Sequence, residues 1–264
     1  MPYLNQLFYE NGKSIFGPYG FKRYGRTFVR VIHDVVQCFD LEKIFSGRCC
    51  RVSFTVLPLC LVTEKADVSG QNCGCYLRRF EPPAPADSWN GVDCANGWAT
   101  DPHDEAVMDA CMSEISRFLQ TYLLPYFLKA DNCEAFLEAF FPMMELFDQN
   151  SRSFYPNSRP WSRSLDAHIY KPSLYYAALK CGNMDLAYES RRRLFFLHAN
   201  AFFARLHDQS FYGEEAAAWD RLLQLYDELA KIGSRDHAFL LARQDEIAQN
   251  EAIAREFLKK YIVK

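Results

Sequence analysis

The sequence predicts an α+β fold, in which an N-terminal antiparallel sheet packs on long helices and is followed by a helical C-terminal half. Two patterns lead to this prediction. Short β-like runs separated by short turns fill residues 27–62, an order that favours an antiparallel meander over parallel crossovers. From Val107 onward, apolar residues instead recur at steps of three and four, which is the spacing of amphipathic helices.

The first elements follow from local composition. Residues 3–16 have weakly helical spacing, and the "GPYG" of residues 17–20 stops that segment because Gly and Pro are helix breakers. The strands that follow are rich in β-branched and aromatic residues, with Asp34 at a tight hairpin position. They are "TFVRVIH" (27–33), "VVQCFDLEK" (35–43) and "CCRVSFTVLPLCLV" (49–62), with "CYLRRF" (75–80) as a candidate fourth.

The run from residue 49 to residue 62 alternates between apolar and polar positions. Such alternation predicts that one face of the strand is buried and that the other is covered only by polar contacts or water. The apolar set is Cys50, Val52, Phe54 and Val56, and the polar set is Arg51, Ser53 and Thr55.

Residues 81–104 are predicted to form a loop, since they hold four prolines and show no periodicity. A helix is expected to start after it, with Thr100 or Asp101 as the cap and Pro102 in the first turn. Pro125 is expected to bend or end that helix, and Pro142 to interrupt the next one over residues 132–148.

Three segments are predicted along the chain. Residues 1–148 form the sheet with its helices, residues 149–170 lose periodicity and form a linker, and residues 171–264 form a helical hairpin or bundle. Within the last segment, Gly182-Asn183 marks the junction between two helices. Further helices are expected over residues 214–233 and 237–263.

Composition narrows the class of protein. The chain has 264 residues, is 49% hydrophobic and carries a net charge of −3, so it can bury a core and lacks the basic excess typical of nucleic-acid binding. Neither a targeting segment nor an apolar run long enough to span a bilayer is recognisable, so we expect a soluble cytoplasmic protein with no membrane partner.

The ten cysteines are expected to be mostly reduced thiols that pack as small apolar residues, with disulfides or metal binding as the alternatives. Zinc prefers four nitrogen or sulfur ligands, usually in pairs separated by two residues. The spacing of the best candidates departs from that pattern, so we expect no bound cofactor. These candidate metal ligands are Cys73, Cys75, Cys94 and His103, with Cys111 on the apolar face of the following helix.

Candidate ligand-binding residues come from the strands and the aromatic loop. Strand parity separates Arg30 from His33 and places Gln37 on the face of Phe39, where a buried amide needs hydrogen-bond partners. Polar pairing across strands is one explanation, and a row of ligand-facing side chains is the other. The complete candidate set is Arg30, Gln37, Arg51, Trp89 and Trp98.

The first half of the chain resembles a known family. "GFK" at residue 20, "GRTFVR", "VVQCFDLEK" and "RVSFTVLPLCL" are similar to an uncharacterised bacterial family, domain of unknown function 4304, as are the tryptophan-bearing loop and "LYYAALKCGN". The resemblance is clearest over residues 1–145. It implies a fold, and it implies no catalytic residues.

No phosphate loop, dinucleotide fingerprint, zinc-protease helix or nucleophile elbow is recognisable in the sequence. The sequence therefore favours a non-catalytic binding or interaction module whose partner is another protein, with a small-molecule ligand as a second option. A metal- or thiol-dependent hydrolase built on residues 73–111 is the alternative. Single-stranded nucleic-acid binding comes third. It would use Arg152, Phe154, Tyr155, Arg159, Trp161 and Arg163.

Overall fold

The computed structural model describes residues 2–44, 49–62, 75–77, 98–101, 103–154, 171–207 and 214–263. Its contacts form two compact units: Met1–Trp161 with Asn250–Lys264, here unit 1, and Ser162–Gln249, here unit 2. The α+β prediction is confirmed. Residues 250–264 group with the N-terminal unit, whereas the sequence placed them with the C-terminal helices.

The sheet of unit 1 is an antiparallel meander, as the sequence predicts. The strands pair in the order β1-β2-β3-β4-β5, and the short β6 pairs with β4 beside β5. From β1 to β4, each strand needs only a short connection to reach its neighbour, so local pairing is sufficient for this part of the order. The strands are β1 (Lys22–Tyr24), β2 (Thr27–Ile32), β3 (Val35–Ile44), β4 (Cys49–Pro58), β5 (Cys75–Leu77) and β6 (Trp98–Ala99).

The β2–β3 hairpin turns at His33 and Asp34, and His33 has a positive φ of 47°. The turn also binds the start of a helix, where the Asp34 side chain accepts a hydrogen bond of 2.9 Å from the backbone N–H of Cys133. The expected hairpin position of Asp34 is confirmed, while His33 lies in the turn and outside the strand.

One face of the sheet packs on helices through aromatic rings. Phe39 of β3 stacks on Phe28 of β2, with ring centroids 4.9 Å apart, and Phe16 lies 4.3 Å from Phe39. Phe8 and Phe127 also contact Phe39. Contacts between aromatic rings stabilise a core by more than the apolar area that they bury. This cluster therefore holds the helices against the sheet.

The opposite face is buried too, so the prediction that only polar contacts or water cover it is wrong for the apolar part of that face. Ser53 and Thr55 of β4 are buried, and Thr55 lies opposite Cys38 of β3. Cys38 and its apolar neighbours pack against residues from the far end of the chain, which a local pattern in β4 cannot reveal. The core on this side contains Val29, Val31, Val36, Cys38, Leu59, Val62, Ala254, Leu258 and Tyr261.

The helices of unit 1 differ from the prediction in two respects, which are the capping residue of the second helix and the effect of the prolines. The second helix starts at Glu105, and Asp104 caps it by accepting from the N–H of Val107, so the predicted cap at Thr100 or Asp101 is wrong. It changes to a π-helical turn before Pro125, and the fourth helix runs through Pro142 without a break. The bounds are α1 (Pro2–Phe16), α2 (Glu105–Phe118), α3 (Leu124–Lys129) and α4 (Cys133–Phe154).

α4 thus takes up the first residues of the expected linker, and residues 155–170 lie outside the described part of the chain. The remaining helices begin where the sequence predicts. Gly182 has a φ of 71° at the first junction, and the Asn183 side chain caps the next helix by accepting from Leu186 N–H. The bounds are α5 (Pro172–Lys180), α6 (Met184–His207), α7 (Glu215–Gly233) and α8 (His237–Phe257).

α8 belongs to unit 2 up to residue 249 and to unit 1 from residue 250. Within the described residues, no helix is both long and apolar enough to cross a membrane.

Candidate functional sites

Arg30 and Gln37 face each other on β2 and β3 and are both buried. The Arg30 Nε donates to Gln37 Oε1 over 2.8 Å, and the Gln37 Nε2 donates to the carbonyls of Phe127 and Ala130 over 2.6 and 2.7 Å. The guanidinium also donates to the carbonyls of Phe127 and Tyr19, both over 3.1 Å.

Three of these hydrogen bonds go to the Phe127 and Ala130 carbonyls at the end of α3, and one goes to the Tyr19 carbonyl between α1 and β1. Burial lowers the pKa of Arg30, and the negative charge of Asp131 opposes that shift. Five hydrogen bonds inside the protein leave these two side chains little capacity for a ligand. The arrangement matches the polar pairing across strands that the sequence offered as one explanation.

The other candidates from the strands and the loop are spread apart. Arg51 forms a half-buried ion pair with Glu42, its partner in the β3–β4 register, with Nε 2.7 Å from Oε2. Trp98 is buried in β6 with its ring 5.6 Å from that of Phe118, so it packs in the core and does not line an open loop. Trp89 lies outside the described residues.

The structure does not gather the candidate metal ligands among the residues that it describes. His103 is exposed, and its backbone N–H donates to Asp101. No cluster of three or more His, Cys, Asp or Glu suited to a metal occurs within the described ranges. Cys73, Cys94 and the side chain of Cys75 lie outside those ranges.

The described cysteines fit the expected packing role in part. Cys49 is disulfide-bonded, whereas the other described cysteines with placed side chains are thiols outside any disulfide. Of these, Cys181 is exposed, and the buried ones are Cys38, Cys50, Cys60, Cys111 and Cys133. The Sγ atoms of Cys50 and Cys111 are 3.7 Å apart. This contact and burial raise the pKa of Cys50, which is the opposite of the shift that makes a thiolate nucleophile.

A cleft of about 640 Å³ lies at the end of the sheet where β3 extends beyond β2. Its walls come from α1, the β1–β2 turn and the last residues of β3. The β2–β3 pairing ends at Phe28 and Phe39, while β3 continues against β4 as far as Ile44. The lining consists of Asn5, Phe8, Tyr9, Tyr24, Gly25, Arg26, Thr27, Asp40, Leu41, Glu42 and Lys43.

Asp40 is the buried ionisable group of this cleft, with 8% of the residue exposed. Its Oδ1 accepts a short hydrogen bond from the Ser53 hydroxyl on β4. Burial raises the pKa of the Asp40 carboxyl, while the Ser53 hydrogen bond and the positive charge of Arg26 act in the opposite direction.

Unit 2 contains a group of partly buried charges around Glu228 of α7. Its carboxylate accepts from the Tyr175 hydroxyl over 2.6 Å and contacts Arg191 and Arg243, each at 3.0 Å. The Arg191 guanidinium also lies 3.4 Å above the Tyr175 ring. Burial and the hydrogen bond to Glu228 raise the pKa of Tyr175. The network joins α5, α6, α7 and α8 within unit 2.

The most unusual surface of unit 2 is apolar. The antiparallel pair α6 and α7 is held by Phe202 against Trp219 and by Phe195 against Tyr226, with ring centroids 5.5 and 6.4 Å apart. Around these contacts, large apolar side chains remain about half exposed. They are Tyr188, Phe196, Leu197, Phe203, Leu206, Trp219, Leu223 and Tyr226.

Helical geometry places several of these residues on one side of the pair. Each residue of a helix is rotated by about 100° from the one before it, so Phe196 and Phe203 of α6 point away from Leu194 and His198. Leu194 and His198 line a cleft with Arg221 and Leu225 of α7. The opposite side therefore carries an apolar face formed by Phe196, Phe203, Trp219, Leu223 and Tyr226.

Sequence reasoning missed the cleft at Asp40, the Glu228 network and the apolar α6–α7 face. For the apolar face a signal existed, because Trp219, Leu223 and Tyr226 repeat at steps of four and three beside a second apolar series, Leu222, Leu225 and Leu229. Two apolar stripes on one helix predict that the helix packs against two different surfaces. The other two sites depend on contacts between distant segments, which no local spacing encodes.

The chain matches no protein-family model, no curated protein and no solved structure. The resemblance to domain of unknown function 4304 therefore stays a prediction.

Proposed function

We propose that the protein is a non-catalytic interaction module that binds an amphipathic helix of a partner protein on the α6–α7 face. The observation that carries this proposal is the apolar face itself. Monomeric proteins seldom leave contiguous large apolar side chains in water, and such patches commonly mark interaction sites.

The shape of the face favours a helix as the bound element. Two antiparallel helices form a shallow groove, and an amphipathic helix can place its apolar stripe in it. The spacing of Trp219, Leu223 and Tyr226 is that of a seam between packed helices. Half-exposed aromatic rings, as at Trp219 and Tyr226, are also the side chains that contribute most at the centre of interfaces.

The test compares two leucines that are equally exposed in unit 2. Leu223 on the apolar face and Leu241 on α8 are each 50% exposed. The Leu223→Glu variant should lose a partner that the wild type captures from its native lysate, at least tenfold by quantitative mass spectrometry, because a carboxylate is placed in an apolar contact. Leu241→Glu should retain that partner.

A partner captured equally by both variants would not be bound at this face. The absence of any stoichiometric partner, together with a monomer by light scattering, would contradict the proposal. The hydrolase alternative has no supporting geometry among the described residues. The arginine and aromatic side chains named for nucleic-acid binding lie outside them.

A further inference from the structure

A cleft of unit 2 lies on the side of the α6–α7 pair that is opposite the apolar face, and α8 contributes to its wall. Its volume of about 420 Å³ falls within the range of roughly 300–1,000 Å³ that is typical of small-molecule sites. The cleft lies wholly in unit 2 and shares no residue with the apolar face, so it is a separate site. The lining consists of Leu194, His198, Arg221, Gln224, Leu225, Asp227, Glu228, Lys231, Phe239 and Arg243.

The acidic side chains in and around this cleft are already paired with basic side chains of unit 2. The Glu228 carboxylate contacts two guanidinium groups at 3.0 Å each, and Asp227 lies 2.6 Å from the ammonium group of a lysine one helical turn away. The acids of this network are Asp227, Glu228 and Glu246, and the bases are Arg191, Lys231 and Arg243. Their charges cancel, so a further charge decides which ligands the cleft attracts.

That further charge is the guanidinium of Arg221, which is exposed on α7 and lines the cleft. His198 lines the cleft from α6, and burial together with the charge of Arg221 lowers the pKa of its imidazole. The neutral ring has one N–H to donate, and the Gln224 amide adds two donors. Among the described residues, none of these three side chains has a hydrogen bond or an ion pair. The cleft therefore combines a net positive charge with donors that are not in use.

Beside these donors the wall of the cleft is apolar. Leu194, Leu225 and the ring of Phe239 form it. A phosphate monoester matches both parts, because its phosphoryl group carries up to two negative charges and three acceptor oxygens, and its organic part is available to the apolar wall. The planar guanidinium of an arginine is also well suited to phosphate oxygens. A carboxylate offers fewer oxygens and a single charge.

We propose that this cleft binds a small organic phosphate monoester. Its phosphoryl oxygens accept hydrogen bonds from the Arg221 guanidinium, the His198 ring and the Gln224 amide. Its organic part lies against Phe239 and the two leucines of the apolar wall. The proposal is independent of the interaction at the apolar face, which uses the opposite side of the α6–α7 pair.

The probe is phenyl phosphate, titrated into the full-length protein by calorimetry at neutral pH and constant ionic strength. Inorganic phosphate, which lacks the ring, and benzoate, which lacks the phosphoryl group, are the comparisons. Phenyl phosphate should bind at least about tenfold more tightly than either, because it alone uses both the donors and the apolar wall. If inorganic phosphate or benzoate binds as tightly, or if phenyl phosphate does not bind, the proposal is wrong.

The ring of His198 reports on the location of the bound phosphoryl group. A neighbouring anion favours the imidazolium, so the pKa of His198 should rise when phenyl phosphate saturates the protein, as followed by NMR of the ring protons. The ring of His33, in unit 1, should not respond. An unchanged pKa of His198 at saturation would place the phosphate elsewhere. The other charged groups around the cleft are Arg191 of α6, Arg221, Asp227, Glu228 and Lys231 of α7, and Arg243 and Glu246 of α8.

An exposed arginine in each unit provides a matched pair of variants. Arg221→Gln removes the unpaired charge of the cleft and should weaken the binding of phenyl phosphate at least about tenfold. Arg26→Gln changes the net charge of the protein equally but lies in unit 1, so it should bind like the wild type. Equal binding by Arg221→Gln and the wild type would overturn the proposal.

The variants also keep the two proposals apart. Leu223→Glu changes the apolar face and should leave the affinity for phenyl phosphate unchanged. Arg221→Gln should still capture the partner protein, because its substitution lies on the opposite side of the helix pair. Loss of phenyl phosphate binding in Leu223→Glu, with Arg221→Gln unaffected, would show that the phosphate binds at the apolar face and not in this cleft.

Discussion

At the residue scale, Gln37 connects the sheet with the end of α3. Its amide donates to two carbonyls and accepts from Arg30, so each of its polar atoms has a partner in a site without water access. A buried polar group without a hydrogen-bond partner lowers the stability of a protein by more than a typical hydrogen bond raises it. Gln37 should therefore contribute to the stability of the fold.

The Gln37→Leu variant should be destabilised by about 2–4 kcal/mol, because it leaves the Phe127 and Ala130 carbonyls and the Arg30 guanidinium short of partners. Urea unfolding of the variant and the wild type measures the difference. Arg51→Gln is the control, since it breaks a half-exposed ion pair and should cost no more than about 1 kcal/mol. A Gln37→Leu cost below that of the control would show that the buried pair contributes little.

Strand parity was enough to single out Gln37 from the sequence. Alternation places Gln37 with Phe39 and Arg30 with Phe28, and the register confirms both pairs on one face. Parity could not supply the partners, because Phe127 and Ala130 are about ninety residues further along the chain. The same limitation hid Glu228, whose partners Tyr175 and Arg191 belong to other helices.

At the scale of elements, the turn between α1 and β1 depends on a glycine. Gly20 has a φ of 88°, in the left-handed region that disfavours other residues, and it closes the 3₁₀ turn of Gly17–Tyr19. The site is crowded as well, since a Cβ on Gly20 would lie 2.7 Å from Cγ2 of Val263. Gly25 has a φ of 60°, but among the described residues no atom lies within 4 Å of its Cβ position.

These two glycines separate backbone strain from crowding. Gly25→Ala should cost about 1 kcal/mol from the positive φ alone. Gly20→Ala should cost at least about 1 kcal/mol more because Val263 has to move. The additional cost should shrink in a Val263→Ala background, as measured by thermal unfolding of the four variants. If both glycine substitutions lowered stability equally, Val263 would be moving aside without an energetic cost, and the predicted crowding would be wrong.

Periodicity predicted which segments are helices more reliably than it predicted where those helices begin and end. The amphipathic spacing of α2 and α7 identified both helices, yet Asp104 and not Thr100 caps α2. Several residues before Glu105 qualify as caps, and tertiary packing decides among them. Pro142 was expected to interrupt α4, but buried Ala139, Met143 and Met144 on both sides hold the helix through it.

At the scale of the whole molecule, the C-terminal segment returns to the N-terminal sheet within unit 1. The N–H of Val263 donates to the carbonyl of Val31 over 2.9 Å, and Arg255 donates to the carbonyl of His33 over 2.5 Å. Leu258 and Tyr261 complete the core on the second face of the sheet. The last residues are therefore as much a part of the sheet's core as the strands are.

Leu258 and Ile253 test this contribution as a matched pair. Leu258 is fully buried, and Ile253 is 55% exposed on the same terminal stretch. Leu258→Ala should destabilise unit 1 by about 2–5 kcal/mol through the cavity that it leaves. Ile253→Ala should change stability by less than about 0.5 kcal/mol. Hydrogen exchange at the β2 and β3 amides provides the measurement, and similar protection in both variants would contradict this account.

The covering of the sheet by residues 254–261 has a consequence for synthesis of the protein. A ribosome finishes β4 almost two hundred residues before it makes Ala254, which takes about 10–40 s at roughly 5–20 residues per second. During that interval Val29, Val31 and Val36 of the nascent sheet are exposed to solvent or to a chaperone. Ribosomes that stall before Ala254 should release chains that are held by chaperones or degraded, although every described strand has already been made.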